Sequence, residues 1–595
     1  MIEARFDDLT RTEPSFRLVE AVGVVEATRP DEVAATIEAA DAGARRGLWV
    51  AGFVSYEASP GLDGAIAVRS RPPGDPFERL PLAWFAMFEG REETVLPEPA
   101  DGPAPDPGAW RPSVDRAGYD RAIARIRRHI EAGETYQVNH TMRLRSRIQG
   151  DARGLYRDLC YAQRGAFNAY LDTGRHRVLS ASPELFFRID GDGVVCRPMK
   201  GTAPRGRWPA EDEVVRRRLA GSVKDRAENA MIVDLLRNDL ARVARTGPVR
   251  WEDVFEVERF ETVWQLTSTV AADLMPATDL VDVFRALFPC GSVTGAPKVA
   301  TTAIIAGLED SPRGVYCGAV GYLAPSGLGP RARFNVPIRT VVQEAQTGVA
   351  EYGVGGGITW DSSAQSEYDE IVTKARVLVT RRPRFDLLET FAHVPGTGFR
   401  RLREHLDRLR GSAAYFGYAY EEEAVLLALG SEAARFPDRT ARIRLLLDRN
   451  GRLQVGGLPL VTAREPITLE LATEHPVDPA DVMRFHKTSL RAPYDEARSR
   501  HHDADDVVLV NTRGSITETT TANVAVLLDG IWSTPPLDDG LLPGTERAAL
   551  LAAGTLTERS ISTDDLVGAQ AFAVFNSVRG WRVAVLADQS RSVSA

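Results

Sequence analysis

The stretch "VLSASPELFFRIDGDGVVCRPMKGT", residues 178–202, contains two strand-like runs joined by "DGDG". It predicts a β-hairpin that leads to Lys200. A three-residue loop would place Glu184 directly opposite Lys200, whereas a four-residue loop would make the two residues diagonal neighbours on opposite faces. Two interpretations of Lys200 are open at this point: a member of a surface ion pair, or an amine with a chemical role.

A carboxylate lies on the apolar face of a helix predicted farther along the chain. In "DRAENAMIVDLLRND", residues 225–239, Glu228 has helical spacing from Met231, Ile232 and Leu235. A charge on such a face must be paired or bound to a cation, because burying it alone is costly.

A third stretch, "GGGITWDSSAQSEYDEIVTKA" at residues 355–375, joins three glycines to another helix pattern. Glu367, Glu370 and Lys374 share one face of that helix. A solvated helix with a Glu370–Lys374 pair would explain the pattern, but glycines that let a ligand approach the backbone stand directly before it. Glutamates from two separate helices also suit Mg²⁺, which keeps part of its water shell.

The composition is that of a globular protein that acts on small molecules. The 595-residue chain has a net charge of −9 and no lysine-rich or arginine-rich block, which argues against a nucleic-acid or membrane-surface role. Its start, "MIEARFDDLTRTEP", has neither a basic leader nor an apolar core, and no apolar run approaches the roughly 18 residues of a membrane span. We therefore expect a cytoplasmic protein. The four cysteines form no C-x-x-C pair, so neither disulfides nor a structural zinc site is expected.

The chain is too long for one core, and its patterns divide it into domains at residues 1–380 and 384–595. The first domain alternates helices and strands, apart from a proline-rich loop at 97–109. The second domain has its own helix and a β-rich end, in which Asp529-Gly530 predicts a hairpin turn.

Six segments in the first domain carry a resemblance to a known family. They are "SASPELFFR", "PMKGTAPRG", "AENAMIVDLLRND", "GSVTGAPK", "YCGAVGYL" and the 355–375 stretch. In this order they resemble the chorismate-utilising enzymes: anthranilate synthase large subunits, aminodeoxychorismate synthase component I, and isochorismate and salicylate synthases. The resemblance covers about residues 1–380 and implies an α+β fold, with a β-sandwich core and surrounding helices.

The resemblance also implies roles for the site residues. Glu228 and Glu370 would hold Mg²⁺ against a carboxylate of chorismate, with Glu367 assisting, and Glu184 would act near the leaving hydroxyl group. The substrate carboxylates would be bound by Tyr316, Arg339, Lys374 and the backbone of Thr294 and Gly295.

Lys200 discriminates among the members of this family. Anthranilate synthases resemble the motif with alanine at this place, whereas aminodeoxychorismate synthases carry lysine. The isochorismate and salicylate enzymes use a lysine base where this chain has Gln137, which disfavours activation of water. Many relatives have histidine where Gln265 stands, and glutamine cannot carry a proton. We therefore expect Lys200 to attack the chorismate ring and ammonia to displace it.

The source of ammonia is expected to be another protein. None of the four cysteines lies in the G-x-C-x-G elbow of a glutaminase nucleophile. A separate glutamine amidotransferase subunit would then supply ammonia.

The second domain resembles fold-type IV pyridoxal phosphate enzymes. The resemblance rests on "REHLDRLRGSAAYFG", "RFHKTSLRAPYDEAR", "GSITETTTANVAVLLDG" and "GLLPGTERAALL". This group includes branched-chain and D-amino-acid aminotransferases and aminodeoxychorismate lyase, and it implies a two-subdomain α/β fold over 384–595. Lys487 would bond to the cofactor and later carry a proton, and Glu518 would pair with the pyridine nitrogen.

The cofactor phosphate would be bound in the same domain by Arg408 and the amides of Gly544 and Thr545, where a helix begins. Glu546 stands where relatives often have a hydroxyl group. A glutamate facing phosphate would be repulsive, so Glu546 must point away.

The two resemblances together imply a bifunctional enzyme of 4-aminobenzoate synthesis. The first domain would convert chorismate and ammonia to 4-amino-4-deoxychorismate, and the second would eliminate pyruvate from it to leave 4-aminobenzoate, a folate precursor. Two alternatives are a second domain that is a D-amino-acid or branched-chain aminotransferase, and a chorismate-binding protein without activity. A homodimer through the second domain is expected, because fold-type IV enzymes resemble obligate dimers.

Overall fold

The computed structural model describes residues 2–99, 110–148, 150–247, 249–379, 383–462 and 464–587. The chain forms two compact units of mixed helix and sheet, as predicted. Unit 1 comprises Met1–Arg205 and Arg216–Pro383, and unit 2 comprises Gly206–Val215 and Arg384–Ala595. A short segment from the middle of the chain therefore folds as part of unit 2.

The strands that the structure describes in unit 1 pair into one continuous network. They are β1 (Glu3–Asp7), β2 (Phe16–Ala27), β3 (Trp49–Val54), β4 (Ala83–Glu93), β5 (Arg111–Pro112), β6 (Gln137–Arg147), β7 (Phe167–Asp172), β8 (His176–Ser182), β9 (Leu185–Asp190), β10 (Gly193–Arg197), β11 (Met199–Pro204), β12 (Arg250–Arg259), β13 (Val263–Asp273), β14 (Gly295–Ala296), β15 (Ala319–Leu323), β16 (Ala332–Asn335), β17 (Thr340–Glu344) and β18 (Val349–Ile358).

All of these pairings are antiparallel. From one end to the other the order is β13, β10, β9, β16, β15, β3, β4, β2, β1, β7, β8, β17, β18 and β6. Strands β11 and β12 also pair with β13, and β5 and β14 also pair with β6.

The α-helices of the first 380 residues belong to unit 1, except that residues 209–215 of the fourth helix fold with unit 2. They are α1 (Val33–Arg45), α2 (Arg116–Glu131), α3 (Ala152–Gln163), α4 (Pro209–Ala220), α5 (Val223–Ala241), α6 (Leu280–Leu287), α7 (Lys298–Leu308) and α8 (Ala364–Ala375). Helix α2 begins at an Asp115 cap, which accepts a hydrogen bond from the Gly118 amide, and it ends before Gly133, as predicted. Helix α5 buries Ile232, Val233 and Leu236 in the largest hydrophobic core.

The hairpin that leads to Lys200 has a two-residue loop, because Asp190 pairs with Gly193. Both loop lengths considered from the sequence are therefore wrong. The register shifts between Val195 and Arg197, and such a bulge adds one residue to one strand only. Glu184 still lies beside β11, where its carboxylate accepts a hydrogen bond from the backbone of Met199.

Unit 2 contains two separate sheets. Their strands are β19 (Leu387–Val394), β20 (Gly398–Phe399), β21 (Ala441–Leu447) and β22 (Leu453–Pro459) in the first sheet, and β23 (Ile467–Val477), β24 (Asp506–Asn511), β25 (Ile516–Thr519), β26 (Asn523–Leu528), β27 (Ile531–Thr534), β28 (Thr557–Glu558), β29 (Ala571–Asn576) and β30 (Gly580–Leu586) in the second. The helices are α9 (Leu402–Phe416), α10 (Glu422–Ala433), α11 (Ala492–Arg500) and α12 (Thr545–Ala552).

The first sheet has the order β20-β19-β21-β22, and α9 and α10 pack on it. In the second sheet, β24, β23, β30, β29, β26 and β25 close into a ring, because β25 pairs with both β24 and β26. The turn predicted at Asp529-Gly530 joins β26 to β27, with φ values of 52° and 75°.

Three further sequence predictions concern a membrane span, disulfide bonds and a loop. No helix in the described part of the chain is long and apolar enough to cross a membrane. All four cysteines are buried and free of disulfide bonds. The proline-rich loop predicted at 97–109 lies outside the described residues from residue 100 onward.

Candidate active sites

Unit 1 contains a cavity of about 270 Å³, called here the first cavity. Most residues predicted for the first site line it. They are Glu184, Lys200, Glu228, Tyr316, Arg339, Glu367, Glu370 and Lys374. These residues come from segments far apart in the sequence, and the antiparallel network and helices α5 and α8 bring them together.

The triple glycine of β18 lets charged side chains approach the strand. A Cβ atom on Gly357 would lie 2.9 Å from the Nζ of Lys200 and 2.1 Å from the Nε2 of Gln137. A Cβ atom on Gly356 would lie 3.2 Å from Oε2 of Glu367. A side chain at residue 357 would therefore displace the Gln137 amide and the Lys200 amine.

The surroundings of Lys200 and of Glu184 both disfavour the charged form of the side chain. Burial lowers the pKa of the Lys200 amine. The Glu228 carboxylate opposes this shift, and the Lys374 ammonium adds to it. Burial raises the pKa of Glu184 to about 7, although a hydrogen bond from Ser292 and the charge of Lys200 oppose this. Burial therefore favours the uncharged form of both groups, the amine of Lys200 and the carboxyl group of Glu184.

The three glutamates differ in their charge environment. Burial raises the pKa of Glu228 and of Glu367. Burial acts in the same direction on Glu370, but the Lys374 ammonium, 2.7 Å from Oε1, lowers the pKa of this carboxyl group below its ordinary value. The predicted Glu370–Lys374 pair is therefore present, and it lies in the cavity wall.

Carboxylate oxygens are the donors that Mg²⁺ prefers, and the three glutamates line one cavity. In the described part of the chain, no three acidic, histidine or cysteine side chains are close enough to form a metal cluster by themselves. The residues therefore fit a cation that takes one or two protein carboxylates and completes its shell with water and substrate oxygens.

Arg339 and Tyr316 also line the first cavity. Arg339 has a positive φ of 52°, and its guanidinium donates a hydrogen bond to Oε1 of Gln163. No carboxylate in the described residues forms an ion pair with it, and burial lowers its pKa. The ring of Tyr316 packs so closely on β18 that a Cβ atom on Gly353 would lie 2.2 Å from it. Arg339 thus offers a positive charge to an anionic ligand.

Thr294 and Gly295 are not brought to the cavity wall; their neighbours Ser292 and Val293 line it instead. The Thr294 amide donates to the Gly291 carbonyl at 3.2 Å, and its carbonyl accepts from the Asn139 amide at 2.7 Å. Both backbone groups of Thr294 already form hydrogen bonds within the protein, and the binding of substrate by the backbone of Thr294 and Gly295 stays a prediction.

Sequence reasoning missed Ser292, Asn139 and Lys224, which also line the cavity. Ser292 lies inside the "GSVTGAPK" segment, so the motif contained the signal for this residue. Gln265 accepts a hydrogen bond from the Thr202 hydroxyl at 3.2 Å.

Unit 2 contains a cavity of about 600 Å³, called here the second cavity. Every residue predicted for the second site lines it. These residues are Arg408, Lys487, Glu518, Gly544 and Thr545. Glu546, which was expected to point away from the phosphate, also lines this cavity.

Burial lowers the pKa of Lys487 to about 8, and the nearby charge of Arg408 acts in the same direction. Arg408 donates from Nε to Oε1 of Glu389 at 2.8 Å, and His405 shares Oε2 of the same carboxylate at 2.6 Å. Burial would raise the pKa of Glu389, but Arg408 and His405 lower this pKa to about 2. Glu389, which sequence reasoning missed, therefore fixes the direction of Arg408.

Glu518 lies on β25 and is buried. The hydroxyl of Tyr494 donates to its Oε1 at 2.9 Å. Burial raises the pKa of Glu518 to about 7, although this hydrogen bond opposes the shift. A carboxyl group held in this way would ionise readily against a protonated ring nitrogen.

Helix α12 begins at Thr545, after the N-cap residue Gly544, and both residues line the second cavity. The first amides of a helix have no partner within the helix, so this end of α12 suits an anion. A Cβ atom on Gly544 would lie 2.0 Å from Oδ1 of Asn523. Glu546 accepts from Nε of Arg401 at 2.5 Å. Its negative charge is thus paired, which answers the concern that it would repel a phosphate.

The second cavity also has a cationic wall that sequence reasoning missed: Arg442, Arg444, Arg491 and Arg579 line it together with Arg408. A lysine with a lowered pKa, a buried carboxyl group, an arginine and a helix N-terminus in one cavity match the donor set that pyridoxal phosphate requires. The remaining arginines suit a substrate that carries carboxylates.

Two family profiles match the sequence. The profile described as chorismate binding enzyme matches residues 13–380, and that described as amino-transferase class IV matches residues 386–585.

Among curated relatives, an aminodeoxychorismate synthase of Streptomyces griseus is 42% identical over 310 residues, 51% of this chain and 42% of that protein. Aminodeoxychorismate synthase component 1 of Escherichia coli is 40% identical over 265 residues, 44% of this chain and 57% of that protein. The chain thus spans about half the length of these relatives. Among solved structures, anthranilate synthase component I from Streptococcus pneumoniae has a TM-score of 0.53 at 24% identity, over 62% of this chain and 93% of that chain, which indicates a shared fold.

Proposed function

We propose that this chain, which belongs to the chorismate binding enzyme family over residues 13–380, makes 4-aminobenzoate in two steps. Unit 1 would convert chorismate and ammonia to 4-amino-4-deoxychorismate. Unit 2 would eliminate pyruvate from this product. The names of the relatives in Streptomyces griseus and Escherichia coli support the first step, and the class IV match supports a pyridoxal phosphate domain for the second.

The observation that carries the proposal is the position of Lys200 in the first cavity. A buried amine with a lowered pKa can be neutral and hence nucleophilic. In the proposed step its nitrogen bonds to C2 of the chorismate ring, the double bonds shift, and the 4-hydroxyl leaves with a proton from Glu184. Ammonia then bonds to C4, the double bonds return, and the amine of Lys200 leaves. The reaction releases one molecule of water, and the ring keeps the nitrogen of ammonia.

Binding of chorismate would use the charges on the cavity wall. Glu228 and Glu370, assisted by Glu367, would hold Mg²⁺, and this ion would neutralise a substrate carboxylate. Arg339, Lys374 and Tyr316 would bind the substrate carboxylates. Gln265 can orient a polar group through its amide but cannot exchange a proton, so Glu184 is the acid in this proposal.

Lys487, Glu518 and Arg408 would hold pyridoxal phosphate in the second cavity. When bound, this cofactor supplies an electron sink for loss of a proton from the substrate. Lys487 would remove the proton at C4 of the ring, and Glu518 would keep the pyridine nitrogen protonated. Arg408 and the amides of Gly544 and Thr545 would bind the phosphate.

The partners follow from the chemistry. Burial raises the pKa of each of the four cysteines, for example to about 11 for Cys317 and about 12 for Cys290, which makes a cysteine nucleophile for glutamine hydrolysis unfavourable. Ammonia would therefore come from a separate glutamine amidotransferase subunit. A homodimer through unit 2 is part of the same proposal.

We also infer that the strands of unit 1 fold back into a β-sandwich. Its support is one hydrophobic core shared by Phe53 on β3 with Leu171 and Val178 on the paired strands β7 and β8, although β4, β2 and β1 separate β3 from them in the pairing order. The two sheets of unit 2 likewise support the expected two-subdomain fold.

The experiment is an assay of the purified chain with chorismate, Mg²⁺ and ammonium, followed by chromatography with and without added pyridoxal phosphate. Cofactor-dependent 4-aminobenzoate is expected from the parent chain. Lys487→Ala should accumulate 4-amino-4-deoxychorismate instead. Accumulation of that compound by the parent, together with transamination of D-alanine or leucine with 2-oxoglutarate, would favour the aminotransferase alternative. Chorismate binding without turnover would favour an inactive binding protein.

A further inference from the structure

Unit 2 includes a segment that precedes its main part by about 170 residues of sequence. This segment, Gly206–Val215, is called here the strap. The chain enters it directly from β11, the strand of Lys200, yet its contacts described below are with residues of unit 2.

The strap contacts the two residues that come immediately before Lys487. The ring of Trp208 packs on Phe485, with ring centroids 5.0 Å apart, and the Arg207 guanidinium lies 5.3 Å from the same ring. The carbonyl of Arg207 forms a hydrogen bond with Nε2 of His486 at 3.2 Å.

His486 is fixed in a single orientation. Its ring lies 4.5 Å from that of Tyr415 and 4.6 Å from that of Phe416. Nδ1 bonds with the Ser412 hydroxyl at 2.9 Å. Because the Arg207 carbonyl only accepts, Nε2 must donate to it, and the neutral ring then accepts at Nδ1 from Ser412.

The strap is itself held in place by unit 2. The Tyr415 hydroxyl donates to the Gly206 carbonyl at 2.7 Å. Arg207 pairs with Asp538 at 2.6 Å. Inside the strap, the Gly206 amide donates to Asp212 at 2.9 Å, and a Cβ atom on Gly206 would lie 2.3 Å from the Asp212 nitrogen. Glycine is therefore required at this turn.

We propose that the strap is a positioning element of the Lys487 site and that His486 is the positioning residue through which it acts. The strap fixes Phe485 and His486, and Lys487 extends from the next peptide unit. The direction of the Lys487 side chain toward the cofactor therefore depends on a segment that the sequence assigns to the other half of the chain. This inference rests on the proposed role of Lys487 as the cofactor-bonding residue.

The test uses three variants of the full chain. Tyr415→Phe removes the hydroxyl bond to the strap, and His486→Phe keeps the aromatic packing but removes both ring hydrogen bonds. Tyr418→Phe is the matched control, because its hydroxyl donates to Phe385, outside the strap, at 2.6 Å. Two quantities are measured: amide hydrogen exchange of residues 206–215 in the cofactor-free chain, and the visible absorbance of bound pyridoxal phosphate as a function of pH.

Tyr415→Phe and His486→Phe are expected to speed exchange in the strap about fivefold, as for loss of one buried hydrogen bond. Both should also move the midpoint of the absorbance titration by about half a pH unit, whereas Tyr418→Phe should change neither quantity. Faster exchange with an unmoved titration would mean that the strap only adds stability, and unchanged exchange would mean that it is not held as described; either result overturns the proposal.

Failure of the proposed function has a different signature. If the parent chain gives no absorbance band with pyridoxal phosphate, Lys487 does not have its proposed role and the positioning proposal fails with it. The exchange measurement would still show whether residues 206–215 pack in unit 2. If His486→Phe does not fold, both quantities are measured on Tyr415→Phe.

Discussion

Arg401 and Glu546 form an ion pair at the rim of the second cavity, with 2.5 Å between Nε and Oε2. Glu546 is the second residue of α12, whose first amides would bind the cofactor phosphate. The pair therefore keeps a carboxylate compatible with an anion site, because the arginine cancels the charge that would otherwise oppose the phosphate.

Arg401→Ala should weaken binding of pyridoxal phosphate. It leaves the Glu546 carboxylate without its partner beside the phosphate, at a cost of about 2 kcal/mol, roughly a 30-fold increase in the cofactor dissociation constant. Fluorescence titration of the cofactor-free chain measures this constant. The double variant Arg401→Ala, Glu546→Ala should recover most of the loss, and if it binds no better than the single variant, the repulsion does not exist.

Lys200→Ala should abolish formation of 4-amino-4-deoxychorismate, with a loss of about 1,000-fold or more in turnover, because the proposed nucleophile is removed. Lys224→Ala serves as the charge control, since Lys224 lines the same cavity with a side chain that is 58% exposed. The measurement is the initial rate with ammonium, read by chromatography. Equal losses in the two variants would mean that Lys200 acts through its charge and not as a nucleophile.

Glu228→Gln and Glu370→Gln should raise the Mg²⁺ concentration needed for half-maximal activity, each by roughly tenfold, because a neutral amide is a weaker donor to this ion. Glu367→Gln should have a smaller effect, because Glu367 is expected only to assist. Mg²⁺ titration of the first reaction gives these values. The assignment of ligands is wrong if Glu367→Gln has the largest effect of the three.

Glu518 should make the cofactor-free chain less stable as pH rises. Its pKa is raised by burial from 4.5 to about 7, so between these values the folded chain holds a proton that the unfolded chain releases. The stability that this group contributes is complete below pH 4.5 and falls as the pH rises to 7. Above pH 7 the chain is less stable by about 3 kcal/mol. Glu518→Gln should remove this fall.

The test of Glu518 is urea unfolding of the cofactor-free chain at pH 5 and pH 8, followed by a signal from unit 2. The exposed Glu423 on α10 provides the control, and Glu423→Gln should leave the pH dependence of the parent unchanged. A Glu518→Gln chain that loses as much stability as the parent would contradict the buried state of this carboxyl group.

Local patterns predicted the fold where the determinants are local. The helix that ends before Gly133 and the turn at Asp529-Gly530 follow from periodicity and from residues that tolerate positive φ. Most of the first cavity was also predicted, because each motif carries its own reactive side chain.

Other features depend on contacts between distant segments, and the sequence does not contain them locally. The two-residue loop after Asp190 arises together with a register shift that is set by pairing with neighbouring strands. The hydrogen bond to the Thr294 carbonyl comes from Asn139, which lies far away in sequence. Glu389 was missed because a single acidic residue on a strand has no pattern that marks it.

The division of the chain has a consequence for attempts to separate its activities. The backbone passes between the units after Arg205, after Val215 and after Pro383. Scission at the last of these points alone would leave residues 206–215 on the N-terminal fragment, although they fold with the C-terminal one. The C-terminal fragment would then need residues 206–215 from the N-terminal fragment to complete its fold. Residues 384–595 expressed alone would lack this segment.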